Sequence, residues 1–157
     1  MAVVFVVTSI LCALLRVPGK DAGHEDVRAE FRTRHAAGDL FILPLTAVIE
    51  TGNHIEQIED GLGHHRRRCA EGLCAILRLV ADGTAPWVLH RVTCDDRLLG
   101  RFCDGGPGSP PFVDVAGPGQ LGGGDLSILV ERDFYREARA HVPVEVWTLD
   151  RRLEAWA

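Results

Sequence analysis

Apolar residues run almost unbroken through the first fifteen positions, MAVVFVVTSILCALL, where Thr8 and Ser9 are the polar interruption. Val3 to Val7 is β-branched and aromatic, the composition of a strand covered on both faces of a parallel sheet, and predicts a first core strand. A short helix over Ser9 to Arg16 follows, stopped by Pro18-Gly19. Glu25 to His35 reads as a solvated helix closed by Gly38, and Leu40 to Leu43 as a second buried strand. Pro44, with Thr46 as N-cap, opens a helix through Val48, Ile49 and Ile55. Leu73, Ile76, Leu77 and Val80 recur at helical spacing within a helix over Arg66 to Val80. Pro86 to Val92 reads as a strand and Cys94 to Phe102 as a helix. The glycine- and proline-rich stretch Asp104 to Gly124 reads as a mobile loop. Helical periodicity returns from Leu126 to Ala140, then come a strand at Val144 to Thr148 and a last turn at Arg151 to Trp156.

Strands alternating with helices predict parallel pairing and a three-layer α/β/α sandwich with a mostly parallel sheet. With 157 residues, 46% apolar and 25% charged, the chain suits one globular domain over 1–157. The apolar opening has no basic residue ahead of it and no small-x-small cleavage site before RVPGKD, and it is too short to cross a bilayer. It predicts a core strand rather than a signal or anchor, and no membrane partner. Five cysteines without a close pair favour free thiols in a reducing, cytoplasmic setting. His64, His65, Cys69 and Cys74 lack a Cys-x-x-Cys unit, so buried or surface thiols explain them better than zinc.

The net charge of −5 provides no overall attraction for nucleic acid. A polyanion would need a local patch, for which His64-His65-Arg66-Arg67-Arg68 is the one concentrated candidate, or metal ions. The plainer reading of that run is a solvated helix start.

In parallel sheets, ligands bind beyond the carboxyl ends of the strands. Three acids fall there: Glu50 one turn into the helix after the second strand, Asp125 opening the helix after the glycine-rich loop, and Asp150 just past the last strand. Converging, they would suit a hard divalent cation, Mg²⁺ or Mn²⁺. Taken singly, Asp125 is a good N-cap, Asp150 can cap the final turn, and Glu50 is an ordinary solvated acid. Asn53 and His54 lie a turn beyond Glu50 and can face the same cleft, while Glu131 and Asp133 read as a charged helix face.

The stretches VVFVVTSIL, FILPLTAVIE, GGGDLSILVE and VEVWTLDRRL, in this order over nearly the whole chain, resemble the PIN-domain family. That family pairs a strand ending in Asp-Thr-Ser with a helical Glu after a Pro, a Gly-Asp-led helix, and a strand ending in Thr-x-Asp. The resemblance implies a PIN-like, metal-dependent ribonuclease acting on RNA, commonly the toxin of a toxin–antitoxin pair with a protein antitoxin as partner. It implies Glu50, Asp125 and Asp150 as catalytic metal ligands for Mg²⁺ or Mn²⁺, with Thr8 or Ser9 reaching the ion's water. One departure matters: Val7 stands where the family has its first Asp. A neutral hydroxyl replaces a carboxylate poorly, so the alternative is an inactive PIN-like module binding a protein or RNA. Asp21 and Asp26 follow in the next loop as the nearest acids, but nothing in their spacing supports a replacement. The apolar surface is compatible with a homodimer.

Gly117-Pro118-Gly119-Gln120-Leu121-Gly122 also satisfies the dinucleotide fingerprint, with Phe112 to Val115 as the strand before it. Asp125 at the following helix start would repel a pyrophosphate, which sets this reading below the nuclease.

Overall fold

The computed structural model describes every residue, 1–157. Strand β1, Val3–Val6, is buried at all four positions, as expected of an apolar run that must be covered on both faces. It lies between β2, Leu40–Ile42, and β4, Val144–Trp147, with Val3 in register with both Leu40 and Val144. The β3 pair, Trp87–Val88, adds the outer edge beside β2. All pairings are parallel, in the order β3-β2-β1-β4. The chain therefore steps outward from β1 to β3, then crosses back to place β4 on the far side of β1. That reversal puts a topological switch point beyond the carboxyl ends of β1 and β4, where open α/β sheets form their ligand crevices.

Eight helices make the fold a three-layer α/β/α sandwich: α1 Thr8–Leu14, α2 His24–Ala36, α3 Leu45–Glu56, α4 His64–Ala81, α5 Asp96–Asp104, α6 Phe112–Ala116, α7 Gly123–Ala138 and α8 Arg151–Glu154. α7 packs on β4, α4 on β3, and α1 between α2 and α3. Phe5, Ile10, Phe41, Ile128 and Leu129 are fully buried in one core, each contributing about 1.5–3 kcal/mol over exposure. A satellite cluster through Cys12, Leu15, Ile55 and Leu73 ties α1 to α3 and α4. No helix is long and apolar enough to cross a membrane.

Five expectations are corrected. Thr46 does not cap α3; Pro44 is the N-cap residue, and the Thr46 hydroxyl meets Ser127 Oγ at 2.9 Å. The strand read at Pro86 to Val92 shrinks to two residues, because beyond Val88 the chain is mostly exposed and pairs with nothing. The stretch 104–124 is no free loop. It contains α6, and its first half is pinned by α7: Arg132 donates to the Gly108 carbonyl at 2.5 Å, and Asp133 accepts from the Gly108 amide at 3.0 Å. Asp133, read as surface charge, is thus buried beside Arg132, which has no solvent exposure at all. Finally, Phe112 to Val115 is helical, so the dinucleotide fingerprint has no strand ahead of it and loses the context it requires.

Candidate active site

A cleft of about 360 Å³ opens at the switch point. Val7, Thr8 and Ser9 reach it from the end of β1, Thr148, Leu149 and Asp150 from the end of β4, Glu50 from α3 and Asp125 from α7. All five residues expected of the site, Thr8, Ser9, Glu50, Asp125 and Asp150, therefore line one cavity although they span most of the chain.

The two strand ends are tied across the cleft. Ser9 Oγ accepts the Leu149 amide at 2.9 Å and lies 3.5 Å from Thr148 Oγ1, which in turn accepts the Asp150 amide at 2.9 Å. Thr8 donates to Glu50 Oε2 at 2.6 Å, the short distance of a charge-assisted bond. Asp150 caps α8 by accepting the Arg152 amide at 2.8 Å. Asp125 does not cap α7: the N-cap residue is Gly122, which leaves Asp125 three residues inside the first turn and free for other work. Burial, with the Glu50 and Asp150 carboxylates adding to it, pushes Asp125 up to about 6. The Glu50 and Asp150 charges thus reach Asp125 across the cleft.

That donor set suits a hard cation. Every polar group among the three acids and the Thr8, Ser9 and Thr148 side chains is an oxygen, the ligand type of Mg²⁺ and Mn²⁺ rather than zinc. The acids surround the cleft without closing into a cage: no three His, Cys, Asp or Glu groups stand together so as to hold an ion. Glu50 is drawn toward Thr8 and Asp150 toward the α8 amide, as mutual repulsion favours. Mg²⁺ keeps several waters and is commonly held by one or two carboxylates, so a full protein cage is not required.

The close approach of α7 to α3 rests on Gly124, where a side chain would run into the Glu50 carboxylate and the Thr46 methyl. Gly124→Ala should leave thermal stability within about 1 kcal/mol of the native chain, since alanine favours the helix. It should nevertheless displace the Glu50 carboxylate and cut any cleavage activity by up to about a hundredfold. A melting curve and an activity assay on one sample separate the two effects.

His54, which the sequence left between a cleft residue and a plain polar position on the helix, lines the cleft; burial, then the Lys20 charge, lowers its pKa, with Glu50 opposing. Asn53 is exposed and takes no part in the lining, nor do Asp21 and Asp26, so neither acid replaces the carboxylate missing at Val7. Two lining residues went unnoticed. Cys12 is buried, its thiol pushed up by burial, and had no signal beyond its helical spacing from Ser9. Lys20 is the chain's only lysine, which was the signal available for it. The zinc candidates disperse: Cys69 is buried and donates to the Leu15 carbonyl at 3.5 Å, while Cys74 is exposed. All five cysteines are free.

No family model, curated protein or solved structure matches the chain.

Proposed function

We propose that this chain is a PIN-like, metal-dependent endoribonuclease that hydrolyses RNA phosphodiesters in the cleft between β1 and β4. The observation that carries the proposal is the gathering of Glu50, Asp125 and Asp150, from three separate segments, in one cavity at the switch point. Those carboxylates would hold Mg²⁺ or Mn²⁺. When bound, such an ion lowers the pKa of water and offsets charge building on the phosphate. The chain's own contribution is positional. Thr8 fixes the Glu50 carboxylate, the Ser9 and Thr148 hydroxyls hold the two strand ends at a set distance, and the first turn of α7 carries Asp125 into the cleft. A toxin role with a protein antitoxin follows from the family resemblance alone, and five free thiols support a reducing, cytoplasmic setting.

A second reading is favoured by Val7, which is 3% exposed and brings an isopropyl group to the cleft where the family pattern has an acid. On that reading the protein is an inactive module that binds RNA or a protein.

Incubation of the purified chain with single-stranded RNA and Mn²⁺, against a chelator control, tests the proposal. Metal-dependent cleavage is expected. Val7→Asp should strengthen it roughly tenfold or more by adding a ligand, at a cost in stability without metal, since it buries a fourth carboxylate beside three; a melting curve in Mn²⁺ verifies that the variant is folded. The position is the N-cap of α1, with extended backbone and no side-chain cap, where Asp is favoured. Cleavage that appears only in Val7→Asp would establish the second reading; no cleavage in either chain would end the nuclease reading.

A further inference from the structure

The acidic cleft does not stand alone. Lys20 and His54 line both the cleft and a second hollow beside Val17 and Ile58, and Pro18 is shared between that hollow and a third, walled by Arg16, His65 and Arg68. The three hollows adjoin through these shared residues and together mark a furrow. It leaves the sheet edge, passes over the turn between α1 and α2, and ends at the first turns of α4.

Its cations are not neutralised within the fold. Arg16 and Lys20 take part in no ion pair. Arg68 donates to the uncharged carbonyls of Leu15 at 3.1 Å and Arg16 at 3.0 Å, so its guanidinium is fixed in place with its charge intact. Within the same basic run, Arg67 is bound to Glu71, and Arg66 is bonded to the Asp60 carbonyl. Outside the cleft, where Lys20 shares the lining with Glu50, Asp125 and Asp150, the acids are Asp21 and Glu59, one in each outer hollow.

Arg16 carries a second mark. With φ 54° it is the one non-glycine residue in the left-handed region, directly after the C-cap of α1, where glycine is the usual choice. Backbone strain of this kind collects where a side chain is needed.

We infer that single-stranded RNA runs along this furrow, with Lys20 and then Arg16 and Arg68 gripping successive phosphates away from the cleft. The inference rests on the nuclease reading for the identity of its ligand. No aromatic residue lines the furrow, so the grip is on the backbone, and the path carries little base preference.

Fluorescence anisotropy with a labelled single-stranded RNA of about ten nucleotides, in chelator, reads binding apart from cleavage. Arg16→Gly and Lys20→Gln should each weaken binding about fivefold, the worth of one charge pair at contact in water. Each should also lower the log–log salt slope by about 0.7. Arg91→Gln, an equal charge change at an exposed residue outside the furrow, should leave both unchanged. Glycine suits the backbone at position 16, so Arg16→Gly should melt no lower than the native chain, which sets a binding loss apart from unfolding.

Native affinity and slope in both furrow variants, or an equal loss in Arg91→Gln, would overturn the path. If the native chain cleaves RNA with Mn²⁺ in that case, the nuclease reading survives. RNA binding that needs Arg16 and Lys20 but brings no cleavage would keep the path and remove the nuclease. No RNA binding by the native chain would remove the path.

Discussion

Asp125→Asn is expected to reduce Mn²⁺-dependent RNA cleavage by at least about a hundredfold while making the protein more stable at neutral pH. The two effects share one cause. Burial and the neighbouring Glu50 and Asp150 carboxylates raise this acid from 3.8 to about 6, so the folded state prefers it protonated. Between those two values the folded chain binds more protons than the unfolded one, and stability falls as pH rises through about 6. Above that pH the ionised carboxylate is a standing penalty, of order 1–2 kcal/mol once solvent screening is allowed for. Asparagine removes the penalty together with the ligand. The checks are thermal melts at pH 5 and 7.5 and a Mn²⁺ titration. The native chain should melt higher at pH 5 and gain stability from Mn²⁺ at pH 7.5, whereas the variant should show a flatter profile and little response. A variant that cleaves RNA normally would remove Asp125 from the site.

The largest loss of stability is expected from Arg132→Ala. Arg132 is fully buried and donates to the carbonyls of Gly108 and Trp156 and to the Asp133 carboxylate. Truncation leaves Asp133, itself 3% exposed, with the Gly108 amide as its remaining partner. Removing one member of a buried pair costs about 3–5 kcal/mol, because the other stays behind as an uncompensated charge. Urea denaturation should show a midpoint lowered to match. Since the 105–111 turn and the segment after α8 both hang on this guanidinium, limited proteolysis should cut there first. A variant as stable as the native chain would show that the turn is held by packing alone.

The sheet could be read from the chain because β1 is buried on both sides and β4 at all but Glu145, so Val3–Val6 and Val144–Trp147 had to be mostly apolar or β-branched. α6 was misread for the same reason: Phe112, Val113 and Val115 have strand composition, and Pro111 ahead of them serves as the N-cap residue of a helix. The buried Arg132–Asp133 pair escaped because charges normally mark a helix's wet face. Its trace was two opposite charges side by side, one residue after the apolar run Ile128 to Val130. The acids of the site were legible from their places after strands, but the part played by Lys20 and Arg16 was not. Which turns lie side by side depends on how α1, α3 and α4 pack, and no local pattern carries that.

The strand order has a consequence for the growing chain. β1 is made before its partner β4, which lies about 140 residues later, and Asp125 and Asp150 are made well after Glu50. Until β4 docks, the Ser9 latch to Leu149 does not exist and the carboxylates share no space. A nascent or clipped chain ending before β4 lacks both that latch and Asp150, so the cleft is complete only once β4 has been made.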